Sequence, residues 1–197
     1  MNMKPLKEKE IPLYLEVAKI RNTAYVERLA GRFKIRRYSV SNHSYFVGIM
    51  FERFAFIHGI EISAQELIMA MKHDLIEVVT GDLIALSKNL NKKTKSAWKE
   101  IEKEVSSHWE IFKPYSDEAI KSFLKEEKYL LLKYCDLLEL WLFTAEEYYA
   151  YNNKHPDTHS VVIEIGNLIR GYKNPYNTSM SALMDEYVSY LKGEKVE

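Results

Sequence analysis

The chain has 197 residues, 47% of them apolar, with only seven glycines and five prolines, and its 28 acidic side chains balance 28 basic ones. That length fits one domain, since single cores grow to roughly 250 residues before they split, and the scarcity of helix breakers favours an all-α globule over disorder or a β-sandwich. Neutrality argues against a nucleic-acid polymer as partner, because such binding rests on an excess of Lys and Arg, but not against a single nucleotide, whose phosphate needs only a few local cations.

The one cysteine, Cys135, permits no intramolecular disulfide and points to a reducing cytoplasm. No run approaches the roughly 18 apolar residues of a membrane span, and Met1 to Lys7 lacks an apolar signal core. The expectation is a cytoplasmic protein with no membrane partner.

In chain order, residues 11–30 place Leu13, Val17, Ile20, Ala24 and Leu29 near helical spacing, with Pro12 suited to the first turn and Gly31 to the stop. Arg28, Arg32, Lys34, Arg36 and Arg37 form a basic segment, for which a solvated connector is one reading. The next helix begins at Ser39 or Ser41, both good caps, and runs through Val47, Ile49, Met50, Phe54 and Ile57 to Gly59. His43 lies in its first turn, a position that suits a surface or capping histidine as well as a ligand.

Ser63-Ala64-Gln65-Glu66 reads as a capping box, so a third helix starts near Ala64 and continues to the break at Thr80-Gly81. Its core is Lys72-His73-Asp74-Leu75-Ile76-Glu77, an imidazole beside a carboxylate with a second carboxylate one turn later. In an ideal helix His73 and Glu77 lie about 40° apart and Asp74 and Glu77 about 60°, so all three can face one cavity. A buried carboxylate beside a histidine requires a metal ion or a salt-bridge network.

Residues 83–88 read as a connector, and Asn91 to Lys113 as a charged helix anchored by Trp98, Ile101, Val105 and Trp109 and ended by Pro114. The longest periodic segment runs from Ser116 to Asn152. Within it Asp136 sits among Leu131, Leu132, Leu137, Leu138, Leu140 and Trp141, where an unpaired carboxylate is costly. Lys133, one turn back, is one candidate partner. Glu139, Glu146 and Glu147 read as solvent-facing or structural. Asn152 to Pro156 is a turn, followed by helices over Thr158–Gly171 and Ser179–Lys192. No repeat or internal linker marks a second domain, and His58, His108, His155 and His159 take no assigned role.

Together, His43, His73, Asp74 and Asp136 would bring two imidazoles and two carboxylates from three helices, a set suited to Zn²⁺, Co²⁺ or Mn²⁺ with a position open to water. Spacing alone leaves their convergence open.

The pattern resembles the HD-domain metal-dependent phosphohydrolases and, in finer detail, the YfbR-type 5′-deoxynucleotidases. The matching features are Arg28 and Arg36 ahead of His43, Ser44 after it, His73-Asp74-x-x-Glu77-x-x-Thr80-Gly81-Asp82-Leu83, Lys88, Lys133-x-x-Asp136 and Glu146-Glu147. They span about residues 15 to 150. The resemblance implies a single-domain, all-α HD helical bundle over 1–197, with the C-terminal helices packed on that core.

It further implies one divalent metal ion held by His43, His73, Asp74 and Asp136. Glu77 would act as the acid/base residue, with Asp74 also catalytic. Arg28, Lys88 and Lys133 would hold phosphate oxygens, and Asp82 would bind the sugar or support the site. Family members commonly pair the arginine with tryptophan; here Leu29 follows Arg28, and Tyr38 and Asn42 stand where acidic residues are usual. A flat stacking surface is therefore lost unless Phe33 or Tyr38 supplies one. The implied substrate is a deoxynucleotide and the implied assembly a homodimer or higher homo-oligomer. The first expectation is a 5′-deoxynucleotidase acting on monophosphates. Its alternatives are a deoxynucleoside triphosphate triphosphohydrolase, for which Arg28, Arg32, Arg36, Lys88 and Lys133 are candidate phosphate cations, and a non-catalytic nucleotide-binding helical module.

Overall fold

The computed structural model describes residues 13–82, 91–171 and 175–194. Among them the chain runs through α1 (Leu13–Asn22), α2 (Val40–Ile57), α3 (Ala64–Met71), α4 (Glu77–Thr80), α5 (Lys92–His108), α6 (Asp117–Ala145), α7 (Pro156–Gly171) and α8 (Asn177–Leu191). A 3-10 turn, Glu110–Tyr115, precedes α6 and a π turn, Glu146–Ala150, follows it. The described residues include no β-strand, only an antiparallel bridge between Glu27 and Ser39, so the all-α expectation holds. No described helix is long and apolar enough to cross a membrane. The 83–88 connector lies outside the described residues.

Helix α6 is the spine against which α2, α3 and α7 pack. Ser116 caps it by accepting the Ala119 amide at 3.3 Å, and Asp117 and Glu118 in its first turn complement the positive end of the helix dipole. Leu124, Leu131, Cys135, Leu138, Trp141 and Ala145 recur at near-helical spacing and are buried. Its one non-helical residue, Lys125 (φ 62°, ψ 174°), lies exposed in the first half.

Helix α2 starts at its expected cap, Ser39, whose hydroxyl accepts the Asn42 amide at 3.3 Å. Its buried face carries His43, Ser44, Val47, Gly48, Phe51 and Ala55. At Gly48 the end of α3 comes so close that an added Cβ would lie 2.3 Å from Met71 Cγ. This close approach sets how near His43 can come to the segment after Met71. Gly48→Ala is expected to cost about 1–3 kcal/mol through overpacking, seen as a lower melting midpoint. A midpoint equal to the parent's would show that Met71 yields freely.

Besides the segment expected as one helix over 64–80, three helix ends differ from the sequence expectation. The first helix stops at Asn22 rather than Leu29 or Ala30, because the following backbone bonds across a strap: the Arg28 amide to the Tyr38 carbonyl at 2.7 Å and the Val40 amide to the Val26 carbonyl at 2.9 Å. Leu29 there takes φ 53° and packs with Tyr38 and Phe143 instead of a helical stripe. Helix α5 ends at His108, where Trp109 turns extended. The longest helix leaves α geometry at Glu146, with the Tyr151 amide reaching back to the Glu146 carbonyl at 3.0 Å.

That widening serves Glu147, which is 1% exposed rather than solvent-facing. Its carboxylate accepts the Ile35 amide at 2.6 Å, the Arg36 amide at 3.0 Å, Arg36 Nε at 2.9 Å and Asn153 Nδ2 at 3.1 Å, fastening the strap to the end of α6. Burial works against the charge, but these donors outweigh it and hold the carboxyl below the usual 4.5. Because the folded state favours the ionised form, the stabilisation is full above about pH 4.5 and is lost as pH falls through the lower folded value. Glu147→Gln is expected to cost about 1.5–3 kcal/mol near neutrality, the worth of charge-assisted hydrogen bonds, with the deficit shrinking in acid. Denaturant midpoints at the two pH values measure it, and equal deficits would show that the charge plays no part.

Candidate metal centre

The segment expected as one helix over 64–80 is two. Helix α3 begins as expected, with the reciprocal Ser63–Glu66 capping box, but stops at Met71. His73 Nδ1 donates to the Ala70 carbonyl at 2.8 Å, and the amides of Leu75 and Glu77 reach back only three residues, to Lys72 and Asp74. His73 and Asp74 therefore project from a tight turn, and the angular separations of an ideal helix do not apply. Helix α4 then presents Glu77 at its start and ends at Gly81, whose φ of 72° suits glycine.

Helix α2, this turn and α6 deliver His43, His73, Asp74 and Asp136 to one place, with a donor atom from each lying within 4.8 Å of all the others. His43 Nε2 is 3.0 Å from Asp136 Oδ1 and 3.5 Å from Asp74 Oδ2. His73 Nε2 is 3.3 Å from Asp74 Oδ2 and 3.7 Å from Asp136 Oδ1. The imidazoles are buried, while the Asp74 and Asp136 side chains keep 18% and 22% of their surface exposed. One side of the cluster thus opens outward.

The donor set fits a divalent cation on a specific observation. His73 Nε2 is buried and makes no hydrogen bond. With Nδ1 committed to Ala70, a neutral ring presents a lone pair at Nε2, aimed at carboxylate oxygens. Lone pairs facing carboxylates require a positive charge between them, either protons on the rings or a metal ion. Burial opposes charge on His73, but Asp74 and Asp136 outweigh it and push its pKa up to about 10. Burial alone would raise both aspartates; His73 and Arg28 hold Asp74 well below the usual range, and the hydrogen bond from His43 with the nearby charge of His73 does the same for Asp136. Two imidazoles and two anionic carboxylates match Zn²⁺, Co²⁺ or Mn²⁺.

Arg28 is 8% exposed; one guanidinium nitrogen pairs with Asp74 and lies 3.4 Å from Glu77 Oε2. Asp82 accepts the Leu29 amide at 2.9 Å, tying the strap to the end of α4. Lys133 does not take up Asp136 as an i,i+3 ion pair. Its ammonium sits 2.9 Å from Asp117, and although burial disfavours its charge, Asp136 and Asp117 together push its pKa up. Lys88 lies outside the described residues.

Two basic candidates are committed elsewhere, Arg32 to Asp157 and Arg36 to Glu146 and Glu147. Of the two aromatic substitutes, Tyr38 provides no open stacking surface, being buried with its ring 3.9 Å from Phe143, whereas Phe33 is 54% exposed and stacked on His155. Glu139, expected to be solvent-facing or structural, is 6% exposed and meets both His43 Nδ1 and the Tyr38 hydroxyl. Its spacing, one turn after Asp136, was the signal that it shares that face.

A family model described as 5′-deoxynucleotidase YfbR-like matches residues 17–186. A 5′-deoxynucleotidase of Klebsiella pneumoniae is 32% identical over 134 residues, which cover 61% of this chain and 66% of the relative. The 5′-deoxynucleotidase YfbR of Salmonella arizonae matches to the same extent, so the match spans just under two thirds of these relatives' length. Among solved structures, an HD-domain phosphohydrolase from Listeria innocua superposes with a TM-score of 0.70 at 20% identity, covering 93% of this chain and 90% of its own. The HD phosphohydrolase of cyanophage S-2L, solved with dA and one catalytic Zn²⁺ ion, superposes at 0.57 and 16% identity over 95% of this chain and 99% of its own. These two likenesses establish the fold, and the family match carries the assignment: the chain folds as an HD-domain phosphohydrolase and belongs to the YfbR-like 5′-deoxynucleotidase family.

Proposed function

We propose that the protein is a metal-dependent phosphohydrolase that converts deoxynucleoside monophosphates and water to deoxynucleosides and orthophosphate. The observation that carries this reading is the convergence of His43, His73, Asp74 and Asp136 around a buried, unbonded His73 Nε2. These four side chains would hold the divalent ion. When bound there, such an ion supplies Lewis acidity towards a phosphoryl oxygen and towards water.

The chain's own residues divide the remaining work. Glu77, held near Arg28 at the start of α4, takes the proton of the attacking water. Arg28 and Lys133 supply cations to the phosphate oxygens, with Lys88 assigned the same role by family resemblance. Positioning and charge stabilisation are what phosphoryl transfer chiefly demands of a protein. Asp82, with one oxygen on the Leu29 amide, braces the strap and keeps its second oxygen for a sugar hydroxyl. Leu29 contributes an apolar wall without a stacking ring.

What favours a monophosphate over a triphosphate is the family match to 5′-deoxynucleotidases. Incubating zinc-, cobalt- or manganese-loaded protein with each deoxynucleoside mono- and triphosphate tests this directly. Orthophosphate from the monophosphates is the expected result. Intact triphosphate as the product would replace the proposal with a triphosphohydrolase, and binding without turnover would make the protein a nucleotide-binding module. A homodimer is the assembly this reading carries with it, and a sedimentation mass of one chain would remove that part.

A further inference from the structure

We infer that Glu139, steadied by the Tyr38 hydroxyl, is a positioning residue for His43, holding its ring as the Nδ1–H tautomer so that an unprotonated Nε2 faces the cation position. The inference rests on the metal-centre reading above and deepens it by assigning a residue outside the ligand set.

Glu139 lies three residues after Asp136, so one face of α6 presents a ligand carboxylate and, a turn later, a second carboxylate behind the ring of His43. Its Oε2 contacts both His43 Nδ1 and the Tyr38 hydroxyl, and the latter two atoms are 3.1 Å apart. Tyr38 is locked by stacking on Phe143 at an interplanar angle of 9°. Its hydroxyl donates to the Glu139 carboxylate.

The Glu139 carboxylate keeps a proton on Nδ1, so the proton that Nε2 shares with Asp136 at 3.0 Å is the one a cation replaces. A neutral His43 then has its remaining lone pair on Nε2, directed towards Asp136 and Asp74. The two histidines differ in how this is achieved. His73 uses the Ala70 carbonyl, a neutral acceptor that no side-chain substitution removes. His43 uses an anion, which fixes the ring and also increases its basicity as a ligand. Glu139 is therefore the point at which a side chain sets the strength of this centre.

The test compares the parent chain with Glu139→Gln and Glu139→Leu. Long-range ¹H–¹⁵N spectra of histidine-labelled, metal-free protein in alkaline buffer read the tautomer, and competition with a chromogenic chelator reads zinc affinity. Glutamine retains an acceptor oxygen and is expected to keep the Nδ1–H form while weakening zinc binding about tenfold. Leucine is expected to lose the tautomer preference and weaken binding about a hundredfold, the two ends of the range for such outer partners. A brace between the strap and α6 would lower the melting midpoint and leave both readouts unchanged. A parent that binds zinc, with both folded variants matching it in tautomer and affinity, overturns the role of Glu139 alone. A parent that takes up no zinc overturns the metal-centre reading, and this inference with it.

Discussion

Asp136→Asn is expected to remove bound divalent ion and abolish phosphate release while leaving the helical circular dichroism close to the parent's. The amide offers one weak neutral donor where the carboxylate brought charge, and the remaining set, two imidazoles and Asp74, lies on the α2 and turn side of the cluster. Loss of a direct ligand should exceed the ~10–100-fold in affinity that outer-partner changes cost. The fold is expected to survive because α6 is anchored by Leu131, Leu132, Leu138 and Trp141, none of which depends on the carboxylate. Elemental analysis after dialysis reports metal content, and full occupancy in the variant would remove Asp136 from the ligand set. The metal-free parent supplies the control: if it shares the variant's melting midpoint, the stability effect belongs to the ion rather than to Asp136.

What could be read in the sequence divides along physical lines. Caps at Ser39 and at Ser63 with Glu66 are legible because capping is a local contract between a side chain and amides two or three residues on. His73, Asp74 and Asp136 are legible because ionisable groups inside apolar runs require partners. The break after Met71 is not legible, since it depends on His73 bonding back to the Ala70 carbonyl, and a ring at that position is equally compatible with a continuing helix. Long-range pairings hide for the same reason. Glu147 reads as one more acid on a charged helix end until the Ile35 and Arg36 amides arrive from more than a hundred residues away. Arg32 and Arg36 look like free cations because Asp157 and Glu146 are equally distant in sequence.

Glu77→Gln is expected to retain zinc and bind the monophosphate but to lose turnover, by about 10²–10⁴-fold in kcat, the usual contribution of a positioned acid/base group. The glutamine variant is more informative than alanine because its carbonyl can still accept from Arg28, whose guanidinium lies between Asp74 and Glu77. Truncating Arg28 itself would confound the result. It would leave two neighbouring carboxylates without their counter-charge, so metal affinity, phosphate binding and the placement of Glu77 would change together. With Glu77→Gln, a fall in kcat at constant metal content and nearly constant KM isolates the proton-transfer role. If kcat stayed near the parent value, the proton would have to leave by another route, and Glu77 would be reduced to a counter-charge for Arg28.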